Sequence, residues 1–453
     1  MELLDRLLNF DSALWPEGNV SSNRLGWIPV LSEMLQNLED LYNFEKQIDF
    51  KNIVLLGMGG SSLAPLVFDT CMSANKIKQK RNLIVCDTTH PKTVGEVDFS
   101  DSIVIVSSKS GTTLEPNVLF DYAMNKLNDP KKFIAITDPN TALDKLARSQ
   151  GFLKVFNNRE DIGGRYSALS YFGIVPALLL GYDLEKLLTN ALSVDKEAAV
   201  SFGMDFANAA IDGQDKLTIK VPESFKTLGL WLEQLIAEST GKSGKGVVPI
   251  PTTQDESGKD RYNTSVNINS IYDLGSIFYR WELATATAGH VLSIDPFNEP
   301  NVAESKANTN KVLEKLPITF PTIDNNQSVT EFIESRLKDG DYISLQAYFP
   351  YGNDAELLDL HSKLRDKFSS NAVTYGYGPR FLHSTGQLHK GGANNIIAVQ
   401  LIDANHYDSL PIPTKPYDFN TLISAQSIGD YQSLLNHERR VIRKSINRLN
   451  EAL

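Results

Sequence analysis

Residues 52–65 read NIVLLGMGGSSLAP, and the fold turns on how that stretch is taken. An apolar run of strand length, Ile53 to Leu56, meets Gly57, Gly59 and Gly60, then Ser61 and Ser62, before an apolar helical pattern begins. Glycines let the backbone come close to a ligand, serines supply hydroxyl donors, and the unpaired amides of a helix start carry partial positive charge. Such a turn suits an anion. Two other readings share the residues: a structural tight turn, and the opening of a GxGxxG dinucleotide fingerprint. The second is weakened by Ser62 and by Asp87, which ends the next strand later than the usual ribose-binding acid.

Working outward, apolar runs at Leu83 to Cys86, Ile103 to Val106 and Phe133 to Ile136 are each followed by turn or polar residues and mostly by a helical pattern. This alternation predicts a parallel sheet covered by helices. After helical residues Leu184 to Ile211 the style returns at Leu217 to Val221, Val247 to Ile250, Ile343 to Phe349, Val373 to Tyr375 and Ile396 to Ile402. The expectation is an α/β protein: an N-terminal helical arm over 1–47, broken at Trp15-Pro16-Glu17-Gly18, then two similar domains over 48–205 and 206–453. The last segment, Tyr431 to Leu449, has helical spacing and carries Arg439, Arg440, Arg443, Lys444 and Arg448, which reads as a C-terminal helix with a solvated charged face.

Composition bounds the function. The 453 residues are 42% hydrophobic and 22% charged, ample for two cores, and the longest apolar run, Phe172 to Tyr182, has eleven residues, short of a membrane span. A net charge of −11 argues against nucleic acid or an anionic membrane as partner. An anionic substrate must therefore be held by local donors. The start of the chain has neither the basic nor the apolar part of an export signal, and Cys71 and Cys86 are too few and isolated for a disulfide framework or thiolate metal site, so a reducing, cytoplasmic setting is expected.

A second loop sharpens the reading. After the strand at Ser102 to Val106 comes SSKSGTTLEP, residues 107–116, with five hydroxyls in seven residues around Lys109 and Gly111 at another helix start. An N-cap and Ser-rich turn would use one or two of them. A phosphate dianion held without metal uses more, and neighbouring parallel strands bring both loops to one sheet edge.

Together GMGGSSLAP (57–65), SSKSGTTLEP, GGRYSALSYFGIVPALLLG (163–181) and ESTGKSGKG (238–246) resemble the successive motifs of the glucose-6-phosphate isomerase (phosphoglucose isomerase) family, built from two sugar-isomerase (SIS) domains. IDPFNEPNVAESK (294–306) and GYGPRFLHSTGQLHKGG (376–392) look most like the isomerase portion of transaldolase fusions, with no transaldolase portion here. The resemblance implies two mostly parallel SIS sheets flanked by helices, aldose-ketose isomerisation of D-glucose 6-phosphate to D-fructose 6-phosphate without a cofactor, and a homodimer. It also assigns residues. Ser61, Ser108, Ser110 and Thr113 match the phosphate ligands, with Lys109 between them and Gly60 and Glu115 nearby. Arg165 matches the arginine of the GGRYS motif, Glu238 the proton-transferring glutamate, Lys306 the lysine near the sugar ring and His383 the ring-opening histidine. In this chain the histidine segment follows both the glutamate and the lysine, whereas the family places it between them. Glu299 stands where the family pattern has glutamine.

The chemistry needs these types. One base moves a proton between adjacent carbons, and a carboxylate serves if its pKa is raised toward the working pH. Glu238 ends a helical pattern that starts near Pro222 and buries Phe225, Leu228, Trp231, Leu232 and Leu235 before Gly241. At the negative end of a helix dipole its anion is disfavoured. Outside the motif, Glu238 would read as an ordinary helix-surface glutamate, Arg165 as a loop partner of Glu160 or Asp161, Lys306 as a solvated lysine and His383 as a structural histidine. His383 and His389 lack the acid-and-histidine set of a metal isomerase, so no metal is inferred.

Overall fold

In the computed structural model β1 (Asn52–Leu56), β2 (Asn82–Cys86), β3 (Ser102–Ser107), β4 (Phe133–Thr137) and β5 (Lys154–Asn157) form one parallel sheet in the order β2-β1-β3-β4-β5. The structure describes residues 2–16, 23–319, 323–324, 327–352, 354–403, 405 and 407–445, so Glu17 and Gly18 of the expected breaker lie outside it. The strands are near-continuous apolar runs because both faces are covered. Alternate residues separate cleanly. Ile53, Leu55, Ile103 and Ile105 enter a core with Leu63, Val67 and Phe68, while Val54, Leu56, Val104 and Val106 enter another with Val118 and Leu119.

The chain leaves β1 in one direction, to β2, and returns on the other side as β3, so the sheet reverses its order between β1 and β3. Leu56 aligns with Cys86 on one side and Val106 on the other, which sets the two polar loops side by side at the carboxyl edge. A crevice at such a reversal is where open parallel sheets bind ligands.

The N-terminal helices Glu2–Leu8, Val30–Gln36 and Leu38–Glu45 are embedded. Leu4, Leu7, Trp15, Trp27 and Val30 join the same core as Ile53, and the Trp15 indole donates to the Ala286 carbonyl at 2.9 Å.

Strands of the second half divide between two parallel sheets rather than forming one. β6 (Lys216–Lys220), β7 (Val248–Thr252) and β8 (Arg261–Ser265) pair as β7-β6-β8; β9 (Tyr342–Tyr348), β10 (Ala372–Tyr377), β11 (Ile396–Ile402) and β12 (Arg440–Ser445) pair as β10-β9-β11-β12. The sequence of β7 explains the division. The Val248 amide donates to Asp215 on the β6 side at 2.8 Å, so positions 249 and 251 face outward, and both are proline. That edge lacks those donors and ends its sheet.

The C-terminal helix expected over Tyr431 to Leu449 is corrected. Its helix, Phe419–Asn436, stops early; Glu438 turns the chain at φ +54°, and Arg440–Ser445 is a strand beside β11. Nor are the charges solvated: Arg439, Arg443 and Lys444 are buried, the Arg443 Nε donating to Gln400 Oε1 at 2.7 Å and its Nη2 to the Ser427 carbonyl at 2.8 Å. Cations spaced three and four apart imitated a helix face, whereas the alternation of Val441 and Ile442 toward two different cores governs the segment. Arg448 and Leu449 lie outside the described residues.

Candidate active site

Gly59 and Gly60 are the point on which the other segments converge. Gly59 has φ +53°, and a Cβ there would stand 2.7 Å from both the Gln234 amide and the His383 carbonyl oxygen. A Cβ on Gly60 would meet the Gly164 carbonyl oxygen at 1.9 Å. The first loop is thus pressed between the GGRYS turn, the Glu238 helix and the His383 segment. The second loop is fastened to it where Ser107 Oγ donates to the Ser61 carbonyl at 3.0 Å.

The phosphate candidates divide by their commitments. Ser61 and Ser108 are buried, and Ser108 Oγ has no hydrogen-bond partner among the described residues. Thr113 caps the helix Leu114–Leu127 by backbone alone, its side chain making no cap bond. Ser110 Oγ pairs with Thr112 Oγ1 at 2.9 Å. Lys109 is directed aside: its ammonium pairs with Asp138 and donates to the Glu160 carbonyl at 2.8 Å.

Glu238 lies in the last turn of the helix Leu228–Thr240, whose C-cap is Gly241, and it is 7% exposed. Burial raises its pKa, the nearby Glu299 adds to this, and Arg165, Gln234 and His383 pull the other way. Burial is therefore the leading cause rather than the helix end alone. Glu238 Oε1 is 3.5 Å from Arg165 Nη1, and Oε2 accepts from Gln234 Nε2 at 3.0 Å.

Arg165 reaches neither Glu160 nor Asp161. Its Nε donates to Ser239 Oγ at 3.0 Å, its Nη2 to the carbonyls of Pro296 and Asn298 at 2.6 and 2.9 Å, and its Nη1 to Glu299 Oε2 at 3.2 Å. The guanidinium is 3% exposed and, among these anions, stays cationic. Behind it Lys242 is also buried, its Nζ donating to the Asp295 carbonyl at 2.5 Å; burial next to Arg165 drives its pKa well below the usual lysine range.

His383 joins the same crevice despite its altered place in the chain, its Nε2 lying 3.0 Å from Glu115 Oε1. Burial raises the Glu115 carboxyl, but the His383 charge and hydrogen bond, with the Lys306 charge, more than reverse this and hold it at about 2. Lys306 stands on the helix Pro300–Leu313 and lines, with Glu115, His383 and Thr112, a cavity of about 100 Å³. The site is continuous with the crevice: Glu115 sits on the second loop's helix, and the His383 carbonyl accepts from Gln234 at 2.9 Å.

Sequence reasoning missed several of these groups. Gln234 was legible only as the residue one turn before Glu238. Asp87 is completely buried and accepts from Arg380 Nε and Nη2 at 2.7 and 2.8 Å, from the Tyr351 hydroxyl at 2.9 Å and from Ser62 Oγ at 3.2 Å. It clamps the first sheet to the second half. Gln426, from the helix Phe419–Asn436, donates to Glu115 at 2.8 Å and accepts from Thr89 at 2.5 Å. His389 is buried and kept neutral by desolvation. Among the described residues no group of three or more His, Cys, Asp or Glu is disposed to hold a metal ion, and no helix is long and apolar enough to cross a membrane.

Parallel sheets flanked by helices, with hydroxyl-bearing loops at the reversal between β1 and β3, define an α/β protein with its crevice at the carboxyl edge of the first sheet. Residues 42–246 match the family model for phosphoglucose isomerase. It is 26% identical over 386 residues to a glucose-6-phosphate isomerase of Mycoplasmopsis pulmonis, covering 64% of this chain and 90% of that one. The enzyme of that name from Methanocaldococcus jannaschii is 30% identical over 229 residues, covering 47% of this chain and 56% of its own. Against several such relatives the chain spans about half of their length. The solved glucose-6-phosphate isomerase of Chlamydia trachomatis has a similar fold, with a TM-score of 0.50 and 20% identity over 63% of this chain and 74% of that one.

Proposed function

We propose that the protein interconverts D-glucose 6-phosphate and D-fructose 6-phosphate through a cis-enediol, with Glu238 as the base. The observation that carries this reading is the Glu238 carboxylate itself, buried, raised in pKa, and fixed between Gln234 and the Arg165 cation beside two hydroxyl-bearing loops. Ser61, Ser108 and Thr113, with the helix-start amides around them, hold the phosphate, which accounts for a buried Ser108 hydroxyl without a partner among the described residues. Lys109 and Ser110 shape the loop from its flank, Lys109 through Asp138. His383, oriented by Glu115, and Lys306 serve ring opening at the far side.

The steps follow from these positions. Glu238 takes the proton from C2 of the open aldose, the C2–H electrons form the C1–C2 double bond of the enediol, and the carbonyl oxygen gains the charge that Arg165 offsets. A proton passes from the C2 hydroxyl to the C1 oxygen, and as the electrons on O2 form the C2 carbonyl the same carboxyl returns its proton to C1, giving the ketose. General-base action of this kind contributes ~10²–10⁴ in rate. A homodimer and a cytoplasmic setting complete the proposal; the two buried, free thiols accord with a reducing compartment.

The test replaces Glu238 by Gln and follows fructose 6-phosphate release in a coupled assay. Sugar-phosphate affinity should persist while turnover disappears. Near-normal isomerisation in Glu238→Gln would remove the base assignment, and binding without turnover by the unaltered protein would make it a sugar-phosphate sensor.

A further inference from the structure

One nitrogen of Arg165 faces two carboxylates. Its Nη1 is 3.5 Å from Glu238 Oε1 and 3.2 Å from Glu299 Oε2, so the two acids share a single cation. Glu238 is almost wholly buried, whereas the Glu299 side chain is 48% exposed. Water can therefore support the Glu299 charge, but not that of Glu238. The other nitrogens of the guanidinium are committed to Ser239 and to the Pro296 and Asn298 carbonyls. Only Nη1 is left to neutralise an acid, and it is shared.

We propose that Glu299 is a positioning residue that divides Arg165 between two acids, preventing the arginine from fully neutralising Glu238 and so keeping Glu238 a competent base. The proposal rests on the isomerase reading. If Glu238 held this arginine alone, the pair would be a buried ion pair, and an opposite charge at such range commonly lowers a carboxyl pKa by about 1–3 units. Glu299 takes up part of that charge and adds repulsion of its own.

The charged and titratable groups facing the cluster come from four segments: Arg165 and Tyr166 from the GGRYS turn, Glu238 and Lys242 from the Glu238 helix and its cap, Asp295 and Glu299 from the loop that receives Arg165, and His383 from the crevice wall. Apart from Arg165, the cations of the cluster are engaged elsewhere. Lys242 is turned to the Asp295 carbonyl, and His383 is engaged by Glu115.

The test is the pH dependence of kcat/KM for Glu299→Gln, which keeps shape and hydrogen bonding while removing the charge, with Glu299→Asp as the charge-retaining control. The acid limb of Glu299→Gln should move down by roughly half to one unit, the screened value for a half-exposed acid. At neutral pH its kcat should fall severalfold with KM nearly constant, and Glu299→Asp should keep the acid limb of the unaltered protein. An unmoved acid limb in Glu299→Gln overturns the inference, as does a change confined to KM, which would make Glu299 a substrate contact. Absence of isomerisation by the unaltered protein is a separate outcome: it removes the isomerase reading on which the inference rests.

Discussion

Replacing Arg165 by lysine keeps the charge and loses the fork. The guanidinium spans Ser239 Oγ, two carbonyls at 2.6 and 2.9 Å and two carboxylates at 3.2 and 3.5 Å, in three different directions. A lysine ammonium is a point donor on a flexible stem and cannot serve all of them. If it turns to the carboxylates, the Pro296 and Asn298 carbonyls lose their donors, at about 1–3 kcal/mol for the buried Pro296 carbonyl and less for the half-buried Asn298. If it turns to the carbonyls, the charge leaves the place where the enediolate develops, and loss of such a stabilising donor costs ~2.7–4 kcal/mol, or 10²–10³ in kcat. Arg165→Lys is therefore expected to lose at least a hundredfold in kcat, to be less stable in urea, or both. The measurements are the coupled fructose 6-phosphate assay and equilibrium unfolding, run on one preparation. A variant within threefold of normal kcat/KM and unchanged in unfolding midpoint would refute the reasoning. Lost stability with full turnover would reduce Arg165 to a loop brace.

The remaining predictions concern the phosphate and the acid range. Ser108→Ala with Thr113→Ala should raise KM for the sugar phosphate tenfold or more and leave kcat within a few fold; unchanged saturation would count against the second loop. Glu115 has a folded pKa of about 2 against an ordinary 4.5, so its contribution is fully present above about pH 4.5 and is lost as the pH falls from there through about 2. Unfolding free energies measured from pH 6 downward should therefore decline less steeply for Glu115→Gln than for the unaltered protein; equal slopes would dissociate that carboxyl from acid stability.

Much of the first sheet could be read directly, because its strands are buried on both faces and appear as uninterrupted apolar runs between polar turns. The two loops were legible for the same reason: glycines and hydroxyls crowd where strands end. Glu238 carries no local signature, and only the order of motifs singled it out. What escaped were contacts between distant segments. Nothing near Asp87 announces that Arg380 will pair with it, and nothing near Gln426 announces Glu115. The N-terminal helices misled in their own way: their polar faces suggested an arm, while Trp15 and Trp27 go to the core. β12 misled because its cations fall at helical spacing, although Arg439 finds a buried acceptor in the His389 carbonyl of the helix Gly386–Gly391 and Arg443 in Gln400 on β11. The division of the second half into two sheets was written in Pro249 and Pro251, but only the direction of the Val248 amide says which edge they close.

The clamp at Asp87 also has a temporal side. Its acceptor oxygens are buried in the first sheet, yet their guanidinium partner is 293 residues further on, an interval of roughly 15–60 s at ribosomal rates of about 5–20 residues per second. Until Arg380 emerges, an unaccompanied anion sits beside the opening of the crevice, and breaking a buried pair by withholding one member costs about 3–5 kcal/mol. The amino-terminal half is thus expected to remain loose on the ribosome and to tighten only when the carboxyl half arrives. Limited proteolysis of stalled nascent chains should find residues 87–95 cut freely before Arg380 is exposed and protected afterwards; equal protection at both lengths would mean the half closes unaided.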